Sequence, residues 1–260
     1  MTRGLLVRGI DVAFGGVAAL AGAGIEVRPG RVSGLIGRNG SGKSTLFNCI
    51  TGFVVPVNGQ VMLDGLDITR RAPHQIVREG IARTFQTPRV DFRMTVREAV
   101  LCGTYATVAH GFIASALKLP RARLAERNCA RATDELLDRM GLAHEAGRPL
   151  ATLSMGRLRM VDVARALAAG ARYLLLDEPA AGISREEQVT LAREVRKLAA
   201  CGIGVLLVEH NFSLIRQLCD RITVLDGGRV LLEGDTESVM RDERVVLAYL
   251  GTRHGEEPPS

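Results

Sequence analysis

Eight consecutive residues, Gly37-Arg38-Asn39-Gly40-Ser41-Gly42-Lys43-Ser44, fit the pattern G-x-x-x-x-G-K-[ST], and Thr45 follows them. Glycines at these positions let backbone N–H groups turn toward phosphate oxygens, and a helix starting there adds its positive end. Lys43 supplies a point charge for β- and γ-phosphates, and Ser44 a hydroxyl for Mg2+. Far along the chain, the apolar run Tyr173-Leu174-Leu175-Leu176 ends in two adjacent carboxylates, Asp177 and Glu178. Asp177 can hold Mg2+ through its water shell, while Glu178, one residue on, points differently and can polarise an attacking water. A strand that ends in solvated acids is common, and so is a glycine-rich turn. A complete match to the phosphate pattern, however, is expected by chance on the order of once in a hundred chains or fewer. The pair therefore indicates phosphate chemistry on a nucleotide.

Positioning these groups takes an α/β scaffold. Residues 32–36 (VSGLI) read as a buried strand feeding the glycine turn, and 43–52 as the helix beyond it, closed by Gly52. Residues 5–14 and 23–28 read as strands, 60–68 as a hairpin around Asp64-Gly65, and 81–86 as a further strand. From about 95 to 170 the pattern turns helical, starting at a Thr95/Glu98 capping box, with Leu124, Leu136, Leu137 and Met140 at helical spacing. Alternation then returns. Strands are expected at 172–177 and 203–208, and two short ones over 221–232 around Asp226-Gly227-Gly228. Helices are expected at 185–200, opened by a Ser184/Glu187 capping box, at 212–219 and at 236–250. The expected organisation is one domain over 1–251 with a helical subdomain at about 95–170, and a flexible tail at 252–260.

Composition bounds the partners. The chain has 260 residues, 47% of them hydrophobic, which excludes a disordered chain, and a net charge of +6, which favours an anionic partner. The five cysteines form no C-x-x-C pair, which points away from a disulfide framework or zinc site and toward a reducing compartment. The stretch from Glu98 to Lys118 carries no charge between its ends but is only weakly hydrophobic, so a helix packed on protein is expected there rather than a membrane span. The positive charge is concentrated: residues 70–131 hold 12 Lys or Arg and 4 Asp or Glu, with Arg123, Arg127 and Arg131 in an i, i+4 row.

With these residues in view, the sequence resembles the ATP-binding cassette (ABC) ATPases over nearly its whole length. Thr152-Leu153-Ser154-Met155-Gly156 is similar to the family's signature segment, Gln86 to its glutamine-loop residue, His210 to its switch histidine, and Phe14 to the aromatic residue that stacks on adenine. Singly, each has an ordinary reading: a helix N-cap at Ser154, a loop residue at Gln86, a strand-end histidine at His210, a core aromatic at Phe14. Their order around the phosphate motif carries the resemblance. Phe14-Gly15-Gly16-Val17, Ala82-Arg83-Thr84-Phe85-Gln86, Met94-Thr95-Val96, Asp177-Glu178-Pro179-Ala180-Ala181-Gly182, Val208-Glu209-His210 and Ala248-Tyr249-Leu250-Gly251 are similar to the ATPase subunits of branched-chain amino acid importers, a group whose relatives also serve urea or short amides.

The resemblance implies a P-loop NTPase with a RecA-like α/β core, an antiparallel β subdomain and an α-helical subdomain. It implies two cassettes, identical or paralogous, stacked head to tail around ATP and Mg2+. Ser154 and Gly156 of one would face the P-loop of the other, with Glu178, His210 and Gln86 catalytic and Ser44, Gln86 and Asp177 on the metal. It further implies permease subunits in the membrane, a periplasmic or extracellular substrate-binding protein acting through them, a peripheral place on the cytoplasmic membrane face, and no nucleic acid. Two departures stand out. Arg157 replaces the usual signature Gln, which adds charge near the expected dimer seam, with Leu158 and Met160 beside it where polar or basic residues are common. Ser184 replaces an Asp or Asn and reads equally as a helix N-cap. A soluble cassette ATPase of DNA repair or translation, and a non-cassette nucleotide enzyme, are the alternatives.

Overall fold

The structure, a computed structural model, describes residues 3–84, 90–105 and 120–245, without the side chains of 120–123. Gln86, Phe85, most of the uncharged stretch, the Arg123 side chain and everything past residue 245 lie outside these residues.

Two sheets organise the described chain. Strands β1 (Leu5–Phe14), β2 (Val17–Val27), β4 (Asn58–Leu63) and β5 (Leu66–Asp67) form an antiparallel sheet in the order β2-β1-β4-β5. Strands β3 (Val32–Gly37), β6 (Ile81–Arg83), β7 (Tyr173–Asp177), β8 (Gly204–Val208), β9 (Arg221–Asp226) and β10 (Arg229–Asp235) form the second, in the order β10-β9-β3-β8-β7-β6. Here β9 and β10 are antiparallel and every other neighbour pair is parallel. Strand β3 is buried at all six positions and β8 at all five. Unbroken apolar runs such as Gly204-Val205-Leu206-Leu207-Val208 suit strands covered on both faces. In β1 buried and exposed positions intersperse, as in a sheet with one wet face.

Helix α1 (Lys43–Ile50) lies in the core between the two sheets, where Leu46, Phe47 and Ile50 are fully buried with Leu35, Leu175 and Leu206 of one sheet and Leu5, Ile10 and Val61 of the other. The opposite face of the large sheet is covered by a second core. It contains Val96 and Val100 of α3 (Val96–Thr104), Leu137 of α4 (Pro120–Arg139), Val161 and Ala164 of α5 (Met155–Ala168), Leu191 and Val195 of α6 (Arg185–Ala200) and Leu214 of α7 (Phe212–Leu218). Both expected capping boxes form: Thr95 Oγ1 accepts the Glu98 N–H and Ser184 Oγ accepts the Glu187 N–H, each at 3.2 Å, while each Glu carboxylate accepts the cap residue's own N–H.

Several boundaries differ from the sequence expectation. Strand β2 starts at Val17 rather than 23, because Ala18, Ala19, Ala21 and Gly22 have little strand preference and are held by pairing with β1. A short helix α2 (Pro73–Arg78) stands where none was expected, opened by proline at its first position. Strand β6 ends at Arg83, with the Thr84 N–H adding one bond to the Leu175 carbonyl. The helix expected over 236–250 is broken: α8 (Thr236–Arg241) ends at Asp242, whose side chain accepts the Arg244 N–H, residues 243–245 are helical again, and 246–250 lie outside the described residues.

Candidate functional site

Strand β3 ends at Gly37, between β8 and β9, at the carboxyl edge of the parallel strands where open α/β sheets bind ligands. The turn that follows has to approach other chain closely. Gly42, the N-cap of α1, has φ 105°, and a Cβ there would lie 2.6 Å from Leu20 Cδ2 and 2.8 Å from the Ala19 carbonyl. Only glycine fits. Helix α1 has no side-chain cap and no acid in its first turn, so its leading N–H groups and positive end are left for an anion. Lys43 is buried, and its Nζ donates to the Gly37 carbonyl at 2.6 Å and to the Arg38 carbonyl at 2.9 Å. Burial lowers its pKa from the ordinary lysine value, opposed by the nearby Glu178 and Asp177 carboxylates. The buried Ser41 Oγ has no hydrogen-bond partner among the described residues, the kind of orphaned group a bound phosphate satisfies.

Strands β7 and β8 pair in parallel up to Asp177 opposite Val208, so the residues just beyond them are neighbours. The Glu178 N–H donates to the Val208 carbonyl at 2.9 Å, and Glu178 holds φ 47°, a backbone rarely taken by a non-glycine residue. Its Oε1 lies 2.8 Å from His210 Nε2. One cavity of about 200 Å3 gathers Asn39, Gly40, Gly42, Lys43, Ser44 and Thr45 with Glu178, His210, Ala19 and Val208. The carboxylate and histidine thus face the loop that precedes α1. Phe14 is half exposed at the end of β1 and lines no part of this cavity, while Ala19 of the same hairpin does.

Two residues to which the sequence assigned no role shape this centre. Arg83 donates from Nη2 to Asp177 Oδ2 at 2.7 Å and from Nη1 to Asn48 Oδ1 of α1 at 2.7 Å, and its guanidinium lies over the Phe47 ring. It ties the end of β7 to the helix that follows the phosphate loop. Glu209 is buried, yet its carboxylate accepts the Ala180 N–H at 2.7 Å, the His210 N–H at 3.1 Å and the Asn211 N–H. It therefore joins the loop after Glu178 to the loop carrying His210. Burial raises its pKa above the ordinary glutamate value, against the pull of those three N–H groups. A charged residue directly behind the buried run Val205–Val208 was the signal in the sequence. Glu187, beyond its place in the capping box, also reaches the start of α5.

Ser154 and Gly156 lie apart from the cavity. Ser154 is the N-cap of α5, accepting the Arg157 N–H at 3.3 Å. Arg157 does not carry loose charge. Its Nε donates to Glu145 Oε2 at 2.6 Å and its Nη2 to the Gly141 carbonyl at 2.8 Å, so the guanidinium is turned into the helical lobe. Leu158 and Met160 are buried in the core beneath it. Ser184 caps α6, the ordinary reading of that departure.

Comparison with known proteins agrees with this geometry. The ABC transporter family profile matches residues 20–181. The high-affinity branched-chain amino acid transport ATP-binding protein BraF of Pseudomonas aeruginosa is 36% identical over 253 residues, covering 96% of this chain and 99% of the relative. LivG of Escherichia coli K12, with the same description, is 35% identical over 248 residues, covering 95% and 97%. The solved ADP conformation of MJ1267, an ATP-binding cassette of an ABC transporter, superposes with a TM-score of 0.83 at 33% identity, covering 96% of this chain and 100% of that one. A match of this extent, over a phosphate loop and an acidic strand end in the expected places, assigns the chain to the ABC transporter family, as one of its ATP-binding and ATP-hydrolysing cassettes.

Proposed function

We propose that the chain energises import of branched-chain amino acids through separate membrane subunits, as one of two cassettes that close on ATP. Residues 1–251 act as one nucleotide-binding domain at the cytoplasmic face of the membrane. Among the described residues no helix is long and apolar enough to cross a bilayer. In this reading substrate passes through permease subunits fed by a binding protein on the other side.

In this reading the N–H groups around Gly40 and Gly42 and the Lys43 ammonium grip the β- and γ-phosphates, and Phe14 offers its face to adenine. Ser44 and Asp177, with Gln86, would offer the hard oxygen donors that Mg2+ takes, and the ion, when bound, would supply charge neutralisation at the phosphates. Glu178 orients a water and accepts its proton as the oxygen attacks the γ-phosphorus. The bond from the γ-phosphorus to the β–γ bridging oxygen breaks, and its electron pair stays on that oxygen, which leaves as part of ADP. His210, 2.8 Å from Glu178, holds that carboxylate in place and reaches the γ-phosphate. Ser154 and Gly156 contact the nucleotide of the opposing subunit, so closure needs ATP on both sides and hydrolysis reopens it.

The observation that carries the substrate assignment is identity of 35–36% along nearly the full length of transport proteins described for branched-chain amino acids. The test is uptake in proteoliposomes holding the chain with its permease subunits and binding protein. Leucine, isoleucine and valine are expected to enter with ATP. Uptake of urea or short amides alone would move the protein to the related importers. Glu178→Gln is expected to retain ATP, lose about 100-fold or more of its turnover as general-base variants do, and accumulate as an ATP-bound dimer. Parental turnover in that variant would overturn the catalytic assignment.

A further inference from the structure

The two oxygens of Glu187 face different partners. Oε2 accepts the Ser184 N–H at 3.0 Å and so completes the cap of α6. Oε1 accepts the Ser154 hydroxyl at 2.5 Å, and the carboxylate also takes the Gly156 N–H. A Cβ at position 156 would lie 2.5 Å from Glu187 Cδ and 2.6 Å from its Oε1, so glycine is what lets the carboxylate seat there. These hydrogen bonds, Ser154 first, hold the carboxyl below its ordinary range, so it is ionised at neutral pH. The Ser154 hydroxyl and Gly156 N–H, at the positive end of α5, are thus already occupied by an anion that belongs to the same chain.

We propose that Glu187 is an internal stand-in for phosphate. Its carboxylate fills the Ser154–Gly156 donors in the single subunit and has to swing away before those donors can grip the nucleotide of a second subunit. This rests on the reading that Ser154 and Gly156 reach the opposing ATP. A carboxylate and a phosphate cannot share the same two donors, because both need the protons and both are negative. The work of displacing Glu187 therefore enters every closure event and raises the ATP concentration at which two subunits join. The same carboxylate caps the helix that follows the Glu178 loop, so its departure also frees the far end of that loop at Ser184. Arrival of a partner's phosphate is in this way felt next to the residue that activates water.

Glu187→Gln separates the two jobs of the side chain. The amide oxygen can still accept the Ser184 N–H, since Gln serves in a capping box as Glu does. Its NH2 then faces Ser154 and Gly156, where it can donate to the serine oxygen but cannot accept the glycine N–H. The cap is kept and the anion is removed. The assay uses the purified full chain in the Glu178→Gln background and follows ATP-dependent dimer formation by sedimentation. The ATP midpoint is expected to fall by about tenfold or more on adding Glu187→Gln, the effect of losing one charge-assisted hydrogen bond. Glu187→Ala, which also loses the cap, is expected to share the lowered midpoint while melting earlier. An unchanged or higher midpoint in Glu187→Gln would reduce Glu187 to a structural clamp and overturn the proposal. Failure of the Glu178→Gln chain itself to dimerise with ATP would instead remove the reading on which it rests.

Discussion

Glu209→Gln tests whether the centre depends on a residue that touches no substrate. Its carboxylate holds Ala180 through one oxygen and His210 through the other, with Asn211 as a third donor. An amide can keep only one side. If its oxygen faces Ala180, its NH2 opposes the His210 N–H, and the reverse arrangement opposes the Ala180 N–H. Either way one loop loses its anchor while the other keeps it, and the 2.8 Å approach of Glu178 to His210 is lost. Misplacement of a reacting group by about 1 Å costs on the order of 100-fold, so kcat is expected to fall about 10- to 100-fold. The KM for ATP should stay within about twofold, because the phosphate-loop contacts are made elsewhere and uniform binding is untouched.

Stability should not follow activity in that variant. The folded-state pKa of Glu209 is raised by burial, so folding favours the neutral form. The associated stability is fully present below the unfolded-state pKa and is lost as pH rises through the folded-state value. Where the side chain is ionised, its buried charge is a liability that a neutral amide relieves, and this offsets the lost hydrogen bond. A net change within about 1 kcal/mol corresponds to a melting shift of no more than about 4 °C in a chain of this size. Phosphate release measured over a range of ATP concentrations, beside a thermal melt, gives both numbers. Parental kcat, or a loss confined to KM, would refute the argument.

Three further outcomes are expected. Lys43→Ala should weaken ATP binding by about 10- to 100-fold, the worth of a charge-assisted hydrogen bond, and a fluorescent-nucleotide titration giving unchanged affinity would count against the phosphate-loop assignment. Arg157→Gln removes the Nε partner of the buried Glu145 and leaves it with the more exposed Arg148 and His144. A loss of about 1–3 kcal/mol is expected, a drop of several degrees in a thermal melt, with the KM for ATP unchanged; the opposite pattern would return Arg157 to the subunit seam. Among the cysteines, Cys102 and Cys201 are exposed and should label with maleimide at pH 7.5. Burial pushes the Cys49 thiol up to about 11 and the Cys219 thiol up to about 12, so both should label only on unfolding, and early modification of either would contradict the packing around α1 and α7.

Local pattern carried much of the architecture, and it stopped where partners are distant in sequence. The phosphate loop, the buried strands β3, β7 and β8 and both capping boxes are written within windows of a few residues, and each is found where the pattern placed it. The first half of β2 was hidden because alanine and glycine carry no strand signal and depend on pairing with β1. Arg83 lies 94 positions from Asp177, and Ala180 lies 29 from Glu209, so no spacing rule could join them. Arg157 looked like surplus charge until the fold brought Glu145 beside it. Glu187 was legible only as half of a cap, since its second partner comes from a different helix. Gln86 lies outside the described residues, and its place rests on resemblance alone.

The way Lys43 is stored bears on how fast nucleotide is captured. Its ammonium is parked on the carbonyls of Gly37 and Arg38, inside a loop that is already wound. Phosphate can replace those two neutral acceptors through a turn of the last side-chain torsions, with no segment of backbone to refold. Association should then be governed by encounter and slowed by salt, as for other charge-steered ligands, rather than by a slow isomerisation of the loop. Differences in affinity between ATP and ADP would accordingly appear as differences in residence time.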